Sequence, residues 1–122
     1  SWNAVYSPRD ADGKPSVLIN GESGEINPKL TEAWKAYDLR LYTEKNWKVL
    51  APQLRGKIHI SVGDGDTYYL NNAVRLYDAA VRKLSPKFEG EIVYAAEKGH
   101  TWSPWSDADL MQAMDKRARA KR

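Results

Sequence analysis

The stretch Lys57-Ile-His-Ile-Ser-Val-Gly-Asp-Gly-Asp66 decides the fold. Its apolar residues Ile58, Ile60 and Val62 alternate with polar ones, which is typical of a β-strand that buries one face. Two glycines and two aspartates then end the strand. Across residues 69–84, apolar residues recur at every third or fourth position, which predicts an amphipathic helix.

A second strand is predicted after this helix, at residues 91–96, where Ile92, Val93 and Tyr94 follow one another. The order strand, helix, strand favours a right-handed crossover that leaves the two strands parallel and adjacent. We therefore expect an α/β fold with two parallel strands and flanking helices.

The remaining segments are predicted from their turn and cap residues. Turn-forming residues are frequent in residues 1–29, which indicates a loop-rich entry segment with a hairpin across residues 19–26. Asn27 and Pro28 suit the start of a helix that we expect to reach about Lys45. A short turn is expected next, because Pro52 disfavours helix in the residue before it.

The C-terminal segment is predicted to be a helix with a basic end. It starts near Ser106, and Asp109 completes a variant of the capping box. Five of the 19 basic residues of the chain lie in residues 116–122, and the net charge of the whole chain is +3. Without this basic tail, 14 basic residues face 16 acidic ones, so the body lacks the positive field that attracts nucleic acid.

Length and composition exclude several classes of protein. A chain of 122 residues is expected to form one domain. No apolar run approaches the ~20 residues that cross a bilayer, so no membrane partner is expected. The absence of cysteine excludes disulfides, thiolate metal sites and a cysteine nucleophile. Nothing in the sequence fixes the compartment.

Two loops leave the carboxyl ends of the two predicted strands. One carries Asp64 and Asp66, and the other carries His100. In open α/β sheets this edge is where sites form, and a spacing of 34 residues suits a strand-helix-strand unit of roughly 30 residues. A carboxylate there holds an imidazole in one tautomer, ready to act as a general base. Ordinary turn, cap and loop roles for these three residues are the alternative.

Residues 55–74, with Glu91-Ile-Val-Tyr94 and Lys98-Gly-His-Thr-Trp102, resemble the C-terminal third of the α/β-hydrolase fold, specifically esterases of that superfamily. The resemblance implies a partial three-layer hydrolase arrangement and ester hydrolysis without a cofactor. In that family the acid lies three residues after a glycine that ends a strand, which corresponds here to Asp66 after Gly63. Asp64 is the alternative acid, and the family histidine corresponds to His100.

The nucleophile elbow of that family, G-x-S-x-G, has no convincing counterpart. The nearest match is Gly21-Glu-Ser-Gly-Glu25, in which Glu25 stands where the elbow needs a small residue. We interpret this segment as a hairpin turn and assign no nucleophile. The chain, residues 1–122, is therefore expected to be a single C-terminal fragment of a longer serine hydrolase and to be inactive alone. A non-catalytic binding or interaction module that retains the hydrolase topology is the alternative.

Other candidate sites and partners follow from these expectations. Trp102 and Trp105 flank the His100 loop and are candidate walls of a substrate pocket. Asp10-Ala-Asp-Gly13 and Asp64-Gly-Asp66 resemble fragments of calcium loops, but the later ligands are missing. Zinc would need His59 beside His100, so no metal is expected. The expected partners are a small-molecule ester and either the missing amino-terminal part or a second copy, since an incomplete sheet exposes an edge. We therefore expect an oligomer.

Overall fold

The computed structural model describes residues 2–119 and contains two compact units, which meet in sequence between Leu50 and Ala51. The elements in chain order are α1 (Trp2–Tyr6), α2 (Pro28–Trp34), a 3₁₀ turn (Lys35–Tyr37), α3 (Leu39–Leu54), β1 (His59–Gly63), α4 (Leu70–Val81), β2 (Glu91–Ala95) and α5 (Asp107–Arg119). The expectation of a mixed α/β chain is confirmed. Among the described helices, none is long and apolar enough to span a membrane.

The first unit begins with a helix that the turn-rich composition did not predict. After α1, the entry segment consists of turns, and an antiparallel bridge joins Ile19 to Ile26. The main-chain N–H of Asn20 donates to the carbonyl of Glu25 at 2.9 Å, which closes the expected turn. The hairpin is thus present as one bridge without flanking strands.

The long helix expected from residue 28 to about Lys45 is interrupted. Helix α2 ends at Trp34, and Asp38 takes an extended conformation after the 3₁₀ turn. The side chain of Asp38 accepts a hydrogen bond from the N–H of Leu41 at 3.0 Å. This bond caps a new helix, α3, because a short acidic side chain satisfies main-chain donors that a helix start leaves free.

Helix α3 also corrects the expectation that Pro52 ends helical structure. Pro52 lies inside the helix, which continues to Leu54. Trp47 and Ala51 on the same helix are buried. A proline this close to a helix end removes a single main-chain hydrogen bond, and burial of these apolar residues compensates for it.

The second unit contains the predicted strand-helix-strand motif. Strands β1 and β2 are parallel and in register from His59 opposite Glu91 to Gly63 opposite Ala95. Helix α4 connects them and is shorter at both ends than expected, since Tyr69 precedes it and Val81 ends it. The core of this unit includes buried apolar side chains from both strands and the connecting segment: Val62, Val81, Phe88 and Ile92.

Helix α5 starts as the capping pattern predicts. The hydroxyl of Ser106 donates to the Asp109 carboxylate at 2.7 Å and accepts from the Asp109 N–H at 3.1 Å. The basic residues of its last turn, Lys116, Arg117 and Arg119, lie where positive charge favours a helix end. The final basic residues of the predicted tail, Lys121 and Arg122, lie outside the described residues.

Candidate functional site

The candidate site lies at the carboxyl edge of the two-stranded sheet. Gly63 ends β1 directly opposite Ala95, which ends β2, so the following loops leave side by side. Two main-chain bonds join these loops. The N–H of Asp64 donates to the carbonyl of Ala95 at 2.8 Å, and the N–H of Gly65 donates to that of Lys98 at 2.9 Å.

Asp66 and His100 form a side-chain pair at this edge. Nδ1 of His100 lies 3.1 Å from Oδ2 of Asp66. The other carboxylate oxygen, Oδ1, accepts the N–H of Tyr68 at 2.8 Å. The Asp66 side chain is 2% exposed, whereas that of His100 is 42% exposed. The structure thus brings together the two residues that the strand spacing predicted to meet.

The surroundings of Asp66 favour its charged form. Burial raises the pKa of the carboxyl, but hydrogen bonds from His100 and from the Tyr68 N–H, together with the positive charge available on His100, outweigh it and hold the pKa below its ordinary value. A carboxylate that stays ionised and accepts bonds at both oxygens is a fixed acceptor for the imidazole.

This acceptor determines the tautomer of His100. Because Nδ1 faces a carboxylate oxygen, it carries the proton in the neutral ring, and the lone pair lies on Nε2. Within residues 2–119, no hydrogen bond engages Nε2, and the ring is partly open to solvent. The imidazole is therefore able to accept a proton from a hydroxyl placed at Nε2.

The alternative acid, Asp64, has a different partner. Its Oδ1 lies 2.6 Å from Nη2 of Arg75 on α4, and its carbonyl accepts the side-chain amide of Asn71 at 3.3 Å. The Arg75 guanidinium also lies 4.5 Å from the ring centroid of Tyr94 on β2. Asp64 therefore attaches the loop to the neighbouring helix, and the structure does not pair it with His100.

Both loops of the site adopt unusual backbone conformations. A Cβ atom at Gly63 would overlap the carbonyl of Lys98. The two loops therefore approach more closely than any residue larger than glycine at position 63 would allow. Tyr69 and Glu97, one in each loop, have positive φ angles of 58° and 61°. Non-glycine residues rarely adopt this conformation, and where they do it is often at functional sites.

The two tryptophans contact residues of β1. The Trp102 carbonyl accepts the hydroxyl of Ser61 at 3.4 Å, and the Trp105 ring lies edge-on to His59, with centroids 6.0 Å apart. His59 starts β1, about 13 Å along the strand from Gly63 at ~3.3 Å per residue. The structure thus places Trp105 toward the opposite end of the strand from Asp66 and His100.

Tyr68 is the aromatic residue that the structure places beside His100. Their ring centroids are 4.8 Å apart, with planes at 70°. Tyr68 was not among the residues predicted from the sequence, although an aspartate side chain in a turn commonly accepts the N–H two residues later, as Asp66 does from Tyr68.

The other serine and carboxylate candidates are occupied locally. The Ser23 hydroxyl accepts the N–H of Glu25 at 3.2 Å within its turn, and Asp10 accepts the N–H groups of Asp12 and Lys14. In the described part of the chain, no group of three or more metal-binding side chains of His, Asp or Glu comes together. No family model, curated protein or solved structure matches this chain.

Proposed function

We propose that this chain is the C-terminal part of a serine hydrolase that acts on carboxylic esters. Asp66 is the acid and His100 the base of its catalytic triad, and the nucleophilic serine belongs to residues outside this chain. The observation that carries the proposal is the bond between buried Asp66 and partly exposed His100 at the carboxyl edge of two parallel strands. The parent sheet then continues beyond β1 and β2, with helices on both faces.

The chemistry follows from the assigned tautomer. Nε2 of His100 takes the proton of the serine hydroxyl while the serine oxygen bonds to the carbonyl carbon of the ester. The tetrahedral intermediate collapses, the bond to the alcohol oxygen breaks, and the proton on Nε2 passes to that oxygen. A water molecule then attacks the acyl-enzyme by the same two steps, which releases the carboxylic acid product and restores the serine hydroxyl. Throughout, Asp66 stays ionised, orients the ring and stabilises the imidazolium.

The proposal is tested on the natural full-length protein. We expect covalent labelling by a fluorophosphonate probe and hydrolysis of p-nitrophenyl acetate. His100→Ala and Asp66→Asn should each lower kcat by about 10⁴-fold, since the base and its orienting acid act as a unit. Asp64→Asn is the matched control, and its kcat should stay within a few-fold of the wild-type value, because Asp64 pairs with Arg75 instead of His100. A protein without serine labelling, or equal losses in both aspartate variants, would contradict the proposal.

The 122-residue chain by itself should show no hydrolysis of p-nitrophenyl acetate above that of its own His100→Ala variant. An acid and a base without a nucleophile cannot form an acyl-enzyme. Turnover that Ser23→Ala abolishes would instead place the nucleophile within this chain.

A further inference from the structure

Three consecutive residues, Tyr68, Tyr69 and Leu70, are exposed between Asp66 and the body of α4. Tyr68 is 70% exposed and Tyr69 is 73% exposed, and Leu70 is exposed as well. Contiguous exposed apolar groups are unusual on a soluble domain and often mark a binding surface. We call these three residues the tyrosine rim.

Tyr68 contacts both members of the candidate catalytic pair. Its N–H donates to Oδ1 of Asp66 at 2.8 Å, and its ring meets the His100 ring edge-on at 4.8 Å. The hydrogen bond holds the main chain of Tyr68 against Asp66, and the ring contact holds its side chain against His100. The phenyl ring is therefore a preformed surface beside the imidazole, with most of its area free to contact a ligand.

Tyr69 supplies an independent observation. Its φ of 58° is left-handed, and it precedes the first residue of α4 without a side-chain cap. Strain of this kind persists only where the surrounding structure enforces it, and it clusters at sites that bind or react. The conformation presents a second large aromatic side chain next to Tyr68 rather than hiding it.

We infer that the tyrosine rim is the wall of the ester site on the alcohol side, and that it selects esters of aromatic alcohols. This inference rests on the proposed function, because the role of His100 decides which part of the substrate lies beside it. When the carbon–oxygen bond to the alcohol breaks, Nε2 gives its proton to the alcohol oxygen. The departing alcohol therefore lies next to the His100 ring, which the Tyr68 ring also contacts.

The size of the selection follows from the energy of aromatic contacts. Offset or edge-to-face ring pairs contribute beyond the area that they bury, which corresponds to a preference of about 2- to 12-fold for one contact. A saturated ring of the same size buries similar area without this contribution. The tyrosine rim should therefore favour esters of aromatic alcohols over esters of saturated alcohols of the same size.

The first experiment compares kcat/KM of the natural full-length protein for benzyl acetate and cyclohexylmethyl acetate. The wild type should favour the benzyl ester, and Tyr68→Leu should lower that preference by about 2- to 12-fold, whereas Tyr68→Phe should keep it. Tyr42→Leu makes the same substitution at another exposed tyrosine, on α3, and should leave the preference unchanged. An unchanged ratio in Tyr68→Leu, or an equal loss on both esters, overturns the inference.

A second experiment needs no hydrolysis. The 122-residue chain is titrated with benzyl alcohol and with cyclohexylmethanol while NMR follows the ring signals of Tyr68 and His100. Benzyl alcohol should shift these signals more, and Tyr68→Leu should abolish the His100 response. No shift with benzyl alcohol overturns the inference, whatever the hydrolytic activity. Failure of the proposed function has another signature, since the full-length protein would then lack serine labelling, or its His100→Ala variant would hydrolyse both esters as fast as the wild type.

Discussion

Asp64 and Asp66 show how two identical side chains, separated by one glycine, acquire different roles. Asp64 pairs with a cation on α4 and remains partly exposed, whereas Asp66 is buried and bonded at both oxygens. Burying a carboxylate is unfavourable unless its lone pairs are satisfied, and here a main-chain N–H and an imidazole satisfy them. The buried member is therefore the better orienting acid.

The lowered pKa of Asp66 predicts a pH dependence of stability. In the folded chain this pKa lies below the unfolded value of about 3.9, so the stabilisation by Asp66 is present above ~pH 4 and is lost as pH falls through the folded pKa. The difference in free energy of unfolding between the wild type and Asp66→Asn should therefore shrink below ~pH 4. Urea unfolding at several pH values measures it, and a ¹³C titration in which the Asp66 carboxyl has an ordinary or raised pKa would contradict it.

The sequence predicted the meeting of Asp66 and His100 because parallel strands fix where their loops emerge. It could not choose between Asp64 and Asp66 from the residues alone, since that choice depends on Arg75, which lies 11 residues after Asp64 on the crossover helix α4. Tyr68 was missed for a similar reason. Its place beside His100 depends on a turn held by a carboxylate oxygen, and composition does not show that geometry.

The end of β1 is the element that sets the distance between the two loops. Gly63 closes the strand with no side chain, and the Lys98 carbonyl occupies the space where a Cβ would stand. The Ala95 carbonyl bonds the next N–H, of Asp64. Small size at this one residue therefore allows the main chains of the two site loops to touch.

Gly63→Ala should lower the free energy of unfolding by about 1–3 kcal/mol, since the added methyl overlaps main-chain atoms that cannot rotate away. It should also weaken the NMR signal of the hydrogen-bonded Nδ1–H of His100. Gly99→Ala is the matched control, because a Cβ there meets open space. That variant should be unchanged or more stable by up to ~1 kcal/mol. Equal stability of the two variants in urea would show that the loops are not closely packed at Gly63.

The helices differ from their predictions where one local signal competes with another. The apolar spacing continued across residues 28–45, but Asp38 caps a new helix start within it. At Pro52 the opposite occurred, because burial of Trp47 and Ala51 extended a helix through an unfavourable residue. Strand β1 was easier to predict, since apolar and polar residues alternate along it and a glycine ends it, so that no competing signal favours a helix there.

The molecule has a small sheet and many exposed large apolar side chains. In the described part of the chain, β1 and β2 pair only with each other, although parallel sheets are usually larger and covered on both faces. Large apolar side chains are exposed in both compact units, including Leu39 and Val49 in the first and Leu76, Met111 and Met114 in the second. Surfaces of this kind are generally buried against another chain or segment.

We therefore expect the 122-residue chain to self-associate in solution. Sedimentation velocity or light scattering at ~100 μM should give a mass above 13.8 kDa that falls on dilution, because association follows mass action.

Leu76→Glu places a charge on an exposed apolar position of α4 and should lower the associated fraction, while Glu44→Gln on α3 removes a charge from the surface and should not lower it. Leu76→Glu is the discriminating variant because water already surrounds that side chain in the single chain, so its folding should change little. A strict monomer at this concentration would mean that the open edges of the sheet and the exposed apolar residues do not bind a second copy.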